Sequence, residues 1–232
     1  MITPFDAQLM LLAVARALGQ EILNEVAFVG GCTTSLLITD DFSKESARYT
    51  DDVDLIIGVM GLIEWHKFEM TLTKEKGFTR SMEEKVLCRL YLGDLKVDFM
   101  PFDGSILGFT NRWYEKALAT AEPYNLADEF TIRVLTPPLF IATKLEAYRG
   151  RGNNDPIGSK DITDIIALFD GRPSLVGEIK RADQDIREYI SVQLAELLEN
   201  PDFDYAVQGA TRSYQGRENL IFQRIEYVVD VN

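Results

Sequence analysis

Asp52 and Asp54 flank Val53 in the run Tyr49-Thr50-Asp51-Asp52-Val53-Asp54-Leu55-Ile56-Ile57-Gly58, and Asp98 follows in Lys96-Val97-Asp98-Phe99-Met100. The last six residues of the first run read as a strand ended by Gly58. Side chains alternate across a strand, so Asp52 and Asp54 leave one face and Val53 the other. Leu55, Ile56 and Ile57 leave no polar side, as expected of a strand covered on both faces. Two like charges at the mouth of such a strand are costly without a compensating cation. A divalent metal is the usual remedy, and paired carboxylates holding Mg²⁺ serve phosphoryl and nucleotidyl transfer. A solvated strand end, where Asp is common, is the alternative reading of the pair. Asp98 adds a third acid, alone in a strand that otherwise reads as buried and ends at Pro101. Two acids on one strand and one on a neighbour can form a metal cluster.

The elements that must position these acids follow from the rest of the pattern. Residues 4–19 read as a helix with Thr3 as N-cap, Pro4 in its first turn and Gly19 as its stop. Val26-Ala27-Phe28-Val29 is a short buried strand. Gly30-Gly31-Cys32-Thr33-Thr34-Ser35-Leu36-Leu37 then reads as a tight turn opening a helix, where glycines let a ligand approach the backbone and the first amides face an anion. It is neither a Walker loop nor a dinucleotide fingerprint. Thr39 to Thr50 is polar and reads as a surface loop. A helix is expected near 61–76 and a short strand at Phe78-Thr79-Arg80. Two β-rich runs, Lys85–Leu92 and Leu95–Met100, flank Gly93-Asp94 as a hairpin. A short helix near 111–120 and strands at Tyr124–Leu126 and Phe130–Leu135 follow. From Pro137 the signal is helical, over 137–149, 160–170, 174–181, 183–199 and 213–229, with a Gly-rich loop at 150–158. The expected organisation is therefore an α/β (α+β) protein: a mixed-sheet core over 1–136 and a helical domain over 137–232.

Composition narrows the function classes. Of 232 residues, 46% are hydrophobic and 26% charged, as in ordinary soluble globular proteins. No apolar run reaches the roughly 20 residues of a membrane helix, and the first residues lack the basic-then-apolar order of a signal peptide. Two distant cysteines, Cys32 and Cys88, suit a reducing cytoplasm and argue against a disulfide framework or structural zinc. Against 24 basic residues stand 37 acidic ones, a net charge of −13, which disfavours a long nucleic-acid footprint. A small anionic ligand fits better than a polymer, and Lys144-Leu-Glu-Ala-Tyr-Arg149-Gly-Arg151 is the best local basic candidate.

Taken together, Val29-Gly30-Gly31, Asp52-Val53-Asp54 and Val97-Asp98-Phe99 resemble the nucleotidyltransferase superfamily signature: a glycine turn, an Asp-x-Asp strand and a third Asp on a later strand. Lys144-Leu-Glu-Ala-Tyr-Arg149 and Ser159-Lys160-Asp161-Ile-Thr-Asp164 resemble the last two motifs of its AbiEii-like branch, which includes toxins of toxin–antitoxin and phage-defence systems. The resemblance covers about residues 26–170. One departure is visible: twenty residues lie between Gly31 and Asp52, more than is usual, and an inserted loop over Asp40 to Tyr49 would account for it.

The resemblance implies Mg²⁺ (or Mn²⁺) and a nucleoside triphosphate as substrate. Asp52 and Asp54 would hold the metal on the triphosphate, and Asp98 would complete a second metal site and help deprotonate the attacking hydroxyl. Gly30, Gly31, Thr33 and Ser35 would cradle phosphate oxygens. Lys144 would offset phosphate charge, with Arg149 nearby, and Asp161 would orient Lys144 or the acceptor. The acceptor is left open among a small molecule, a protein and an RNA 3′ end, and an antitoxin or other partner protein is implied. Two other functions are weighed: a non-catalytic nucleotide- or partner-binding module on the same fold, and an aminoglycoside-type adenylyltransferase, which the acidic balance favours. Bland readings stand beside these: Lys144 and Arg149 as a solvated helix face, and Asp161 as an acid at a helix start, with Asp164 the weaker candidate. Cys32 reads as a small packed residue, His66 as a surface residue, and Trp65 and Phe68 as core.

Overall fold

In the computed structural model the described residues are 4–45, 48, 50–83, 86–108, 110–127, 130–211 and 216–230. Thr3, Lys85 and the expected helix start at 213–215 lie outside them. In chain order they form α1 (Pro4–Leu23), β1 (Val26–Val29), a single 3₁₀ turn (Gly31–Thr33), α2 (Thr34–Leu37), α3 (Asp41–Glu45), β2 (Asp52–Ile57) and α4 (Leu62–Glu75). There follow β3 (Arg89–Leu92), β4 (Leu95–Pro101), α5 (Gly104–Leu107), α6 (Tyr114–Ala119), β5 (Glu122–Leu126) and β6 (Phe130–Val134). The rest is helical: α7 (Pro137–Arg151), α8 (Lys160–Gly171), α9 (Leu175–Arg181), α10 (Gln184–Leu198), α11 (Pro201–Thr211) and α12 (Arg217–Val229).

The chain divides into two compact units, Met1–Thr33 with Tyr49–Thr136, and Thr34–Arg48 with Pro137–Asn232. The first is an α+β unit built on one mixed sheet, whose strand order is β3-β4-β2-β1-β6-β5. β1 runs antiparallel to β2 and parallel to β6, while β2 and β4 are parallel. The hairpin at Gly93-Asp94 pairs β3 with β4, Leu92 opposite Leu95 and Arg89 opposite Asp98. Register decides which residues share a face. Val53 and Leu55 lie beside Val97 and Phe99, and all four are fully buried. Phe68 of α4 and Phe78 meet Phe99 edge to face at 5.6 and 5.5 Å, so this face carries α4. The acids leave the opposite face.

Trp65 is fully buried, as expected, and His66 is exposed beside Glu69. The expected stop at Gly19 is a kink (φ 77°), after which the chain resumes a helical course to Leu23. Phe78–Arg80 is reduced to one bridge, Thr79 to Tyr91.

The second unit is helical and differs from expectation in two places. The polar stretch 39–50, read as a surface loop, contains α3, and Ser43 is buried. Backbone amides of Thr39 and Asp40 donate to the carbonyl of Gly171 at 3.0 and 2.9 Å. A Cβ at Gly171 would lie 2.6 Å from Ile38 and 2.9 Å from Ser43, so only glycine admits this approach. Arg217 pairs with Asp170 at 2.6 Å and donates to the Ser43 hydroxyl, also at 2.6 Å. Helix α11 was not expected; Phe203, Val207 and Thr211 form its buried stripe at i, i+4 and i+8. Among the described residues no helix is long and apolar enough to cross a membrane.

Candidate metal centre

β2 and β4 place the three acids by register. Asp54 sits beside Asp98 on the neighbouring parallel strand, with Asp52 two residues earlier on the same face. Each can offer one carboxylate oxygen such that all three atoms lie within 4.8 Å of one another. Asp98 is 8% exposed and Asp52 and Asp54 are half-buried. Three carboxylate oxygens so grouped are hard donors that could hold an oxygen-preferring divalent cation.

The glycine turn closes one side of this cluster. Val29 pairs with Asp54, and Gly30 then turns away with φ +80°. A Cβ at Gly30 would lie 2.8 Å from Cγ of Asp54 and closer still to its Oδ2. The carboxylate of Asp54 therefore occupies the space that any larger residue at position 30 would need. The Thr33 hydroxyl donates to the Gly30 carbonyl at 3.0 Å, and Cys32 Sγ to the Val29 carbonyl at 3.1 Å, so both stabilise the turn itself. Ser35 is buried in α2, within the helical unit. The hydroxyl of Thr50 donates to Asp52.

Arg89 is the residue that the sequence reading did not single out. Its Nε donates to Asp98 Oδ1 at 2.8 Å and its Nη2 to Oδ2 at 2.7 Å, a two-pronged pair across the hairpin. A signal for it existed: a two-residue turn at Gly93-Asp94 fixes 92 opposite 95 and hence 89 opposite 98. Next to it, Cys88 is buried, and its thiol is pushed up to about 12, first by burial and then by the charges of Asp98 and Asp54.

The helical unit holds a second polar group. Lys144, 6% exposed on α7, donates from Nζ to Asp164 Oδ2 at 2.6 Å and to Asp161 Oδ1 at 3.2 Å. Arg48 grips the same Asp164 through Nε at 2.7 Å and Nη2 at 2.8 Å. Arg151 reaches Asp161 at 3.0 and 3.1 Å. Burial pulls Lys144 down, but Asp164 and Asp161 together hold it above its ordinary value. Burial pushes Asp164 up, but Lys144 and Arg48 hold its carboxyl below the usual carboxylate range. Asp161 does face Lys144, yet Asp164, given less weight from sequence, is the nearer partner and is wholly buried. Arg149 is exposed at the end of α7, and it is Arg151 that joins the ion pairs. Lys144 is thus no solvated helix face.

No family model matches this chain, and no curated protein is detectably similar to it.

Proposed function

We propose that the protein is a Mg²⁺- or Mn²⁺-dependent nucleotidyltransferase, moving a nucleoside monophosphate from a triphosphate to a hydroxyl or phosphate acceptor. One observation carries the reading: Asp52, Asp54 and Asp98 offer three carboxylate oxygens within 4.8 Å of one another, beside the Gly30 turn. The donors fit a hard divalent ion, and the tight seat of Asp54 against Gly30 fixes one of them. Such an ion would offset triphosphate charge and stabilise the negative charge that grows on departing pyrophosphate. Asp52 and Asp54 are its ligands in this reading. Asp98, oriented by Arg89, accepts the proton of the attacking hydroxyl. The backbone of Gly30 and Gly31 faces the phosphates. Lys144, in the helical unit, stays paired with Asp164 and Asp161 and takes no part in this reading.

The test is label transfer from each of the four α-labelled triphosphates to cell extract, with Mg²⁺ or Mn²⁺. Transfer is expected with at least one nucleotide, and Asp52→Asn or Asp54→Asn should lower it by about a thousandfold with the fold intact, about 4 kcal/mol of transition-state stabilisation. Full activity in either variant would refute the metal assignment. Calorimetric binding of triphosphate and Mg²⁺ without turnover would instead make the protein a nucleotide-binding module.

A further inference from the structure

We infer that Arg89 is a built-in counter-cation that fills the charge role of a second metal ion on Asp98, so that the cluster binds one divalent ion rather than two. The inference deepens the metal-dependent reading above and rests on it. Three observations support it. First, the guanidinium engages both oxygens of Asp98, at 2.8 and 2.7 Å, so any ion on that carboxylate shares it with a fixed cation. A carboxylate keeps lone pairs for a further contact, but a dication bound there would stand against a fixed positive charge. Second, the pair is partly withdrawn from water, with side-chain exposures of 21% for Arg89 and 11% for Asp98, so screening of that repulsion is weak. Third, Arg89 is carried opposite Asp98 in the β3–β4 ladder, so the guanidinium belongs to the sheet and not to a passing loop.

The charge count follows. Asp52, Asp54 and Asp98 bring three negative charges where two parallel strands meet. Without bound triphosphate, one divalent ion and the Arg89 guanidinium equal these three charges in number, whereas two divalent ions with the guanidinium would exceed them by two. Arg89 also orients Asp98, because two parallel N–H donors fix the plane of the carboxylate. It is a positioning residue in this scheme, acting through Asp98.

Mn²⁺ binding to the full chain, followed by electron paramagnetic resonance and calorimetry, tests this without reference to turnover. The wild type should bind one Mn²⁺ per chain at the cluster, and Asp52→Asn with Asp54→Asn should abolish it. Arg89→Met should bind a second Mn²⁺, or bind the first at least tenfold more tightly. Arg89→Lys, which keeps the charge, should stay at one ion with affinity within threefold of wild type. Two ions on the wild type, or an Arg89→Met variant unchanged in number and affinity, would overturn the role of Arg89 and leave the metal centre standing. No Mn²⁺ binding that depends on Asp52 and Asp54 would overturn the metal centre itself. Should Arg89→Met fail to fold, the wild-type stoichiometry alone still decides, since two ions contradict the inference.

Discussion

Gly30→Ala puts the geometry of the centre to its sharpest test. Two costs are expected. Position 30 has φ +80°, where an L side chain is strained by about 1–2 kcal/mol. The new methyl would also lie 2.8 Å from Cγ of Asp54, inside any tolerated contact, so the carboxylate must swing aside. Forcing a side chain off its rotamer adds about 0.5–1.5 kcal/mol. The sum, about 1.5–3.5 kcal/mol, corresponds to a fall in melting temperature of about 3–14 °C for a chain of this size. Gly77→Ala is the control. Its φ is +78°, with nothing within 4 Å of an added Cβ, so it carries the backbone cost alone. Scanning calorimetry of the two variants separates strain from collision. Mn²⁺ titration then reads the consequence for the site: Gly30→Ala should bind at least tenfold more weakly, about 1.4 kcal/mol, and Gly77→Ala as tightly as wild type. Equal melting temperatures and equal Mn²⁺ affinities in the two variants would refute the claim that Gly30 exists to seat Asp54.

Two further expectations concern buried charge. Asp164→Asn leaves Lys144 and Arg48 facing a neutral partner, and losing one member of a buried pair costs about 3–5 kcal/mol, a fall of roughly 6–20 °C in thermal melts. The sign of its pH dependence is fixed by direction: a carboxyl held below its ordinary value stabilises fully above pH about 4 and loses that contribution as the pH falls further. The variant should therefore show a shallower stability loss between pH 4 and 2 than wild type; an identical slope would mean Asp164 is not the group that titrates. Cys88, at about 12, should be roughly 10⁻⁴ thiolate at pH 8. Alkylation mapped by mass spectrometry should find it unmodified in the native protein and modified after unfolding; rapid native labelling would contradict its placement.

The parts of the fold legible in sequence were those set by short-range periodicity. β1 and β2 were visible as apolar runs, and the hairpin as two β-rich arms around Gly93-Asp94. The switch to helix at Pro137 was visible as a change of period. What failed was long-range. The local contact of Ser43 with Asp40 does not announce its burial, which depends on Asp170 and Arg217, 127 and 174 residues away. Helix α11 was missed because Asp202, Asp204 and Tyr205 hide a buried stripe only one residue wide. That Asp52, Asp54 and Asp98 share one face depended on the period of two within each strand and on β2 lying beside β4, and only the first of these can be read from sequence.

The two acids of α8 show where such reading can be pushed further. Asp161 and Asp164 occupy the stripe of Ile162, Ile165, Leu168 and Phe169, and all six are buried. An acid three residues from another on an apolar helix face cannot remain uncompensated, since burying a lone carboxylate costs several kcal/mol. The sequence therefore announces a need for cations at that face. It cannot say which ones, because Lys144 and Arg151 come from α7 and Arg48 from a segment about a hundred residues earlier. The helix-start rule bears on Asp161, the acid in the first turn, and gives no partner to Asp164 three residues on. Burial reverses the weighting of Asp161 above Asp164: with no exposed surface at all, Asp164 is the acid that most requires partners, and it holds both Lys144 and Arg48.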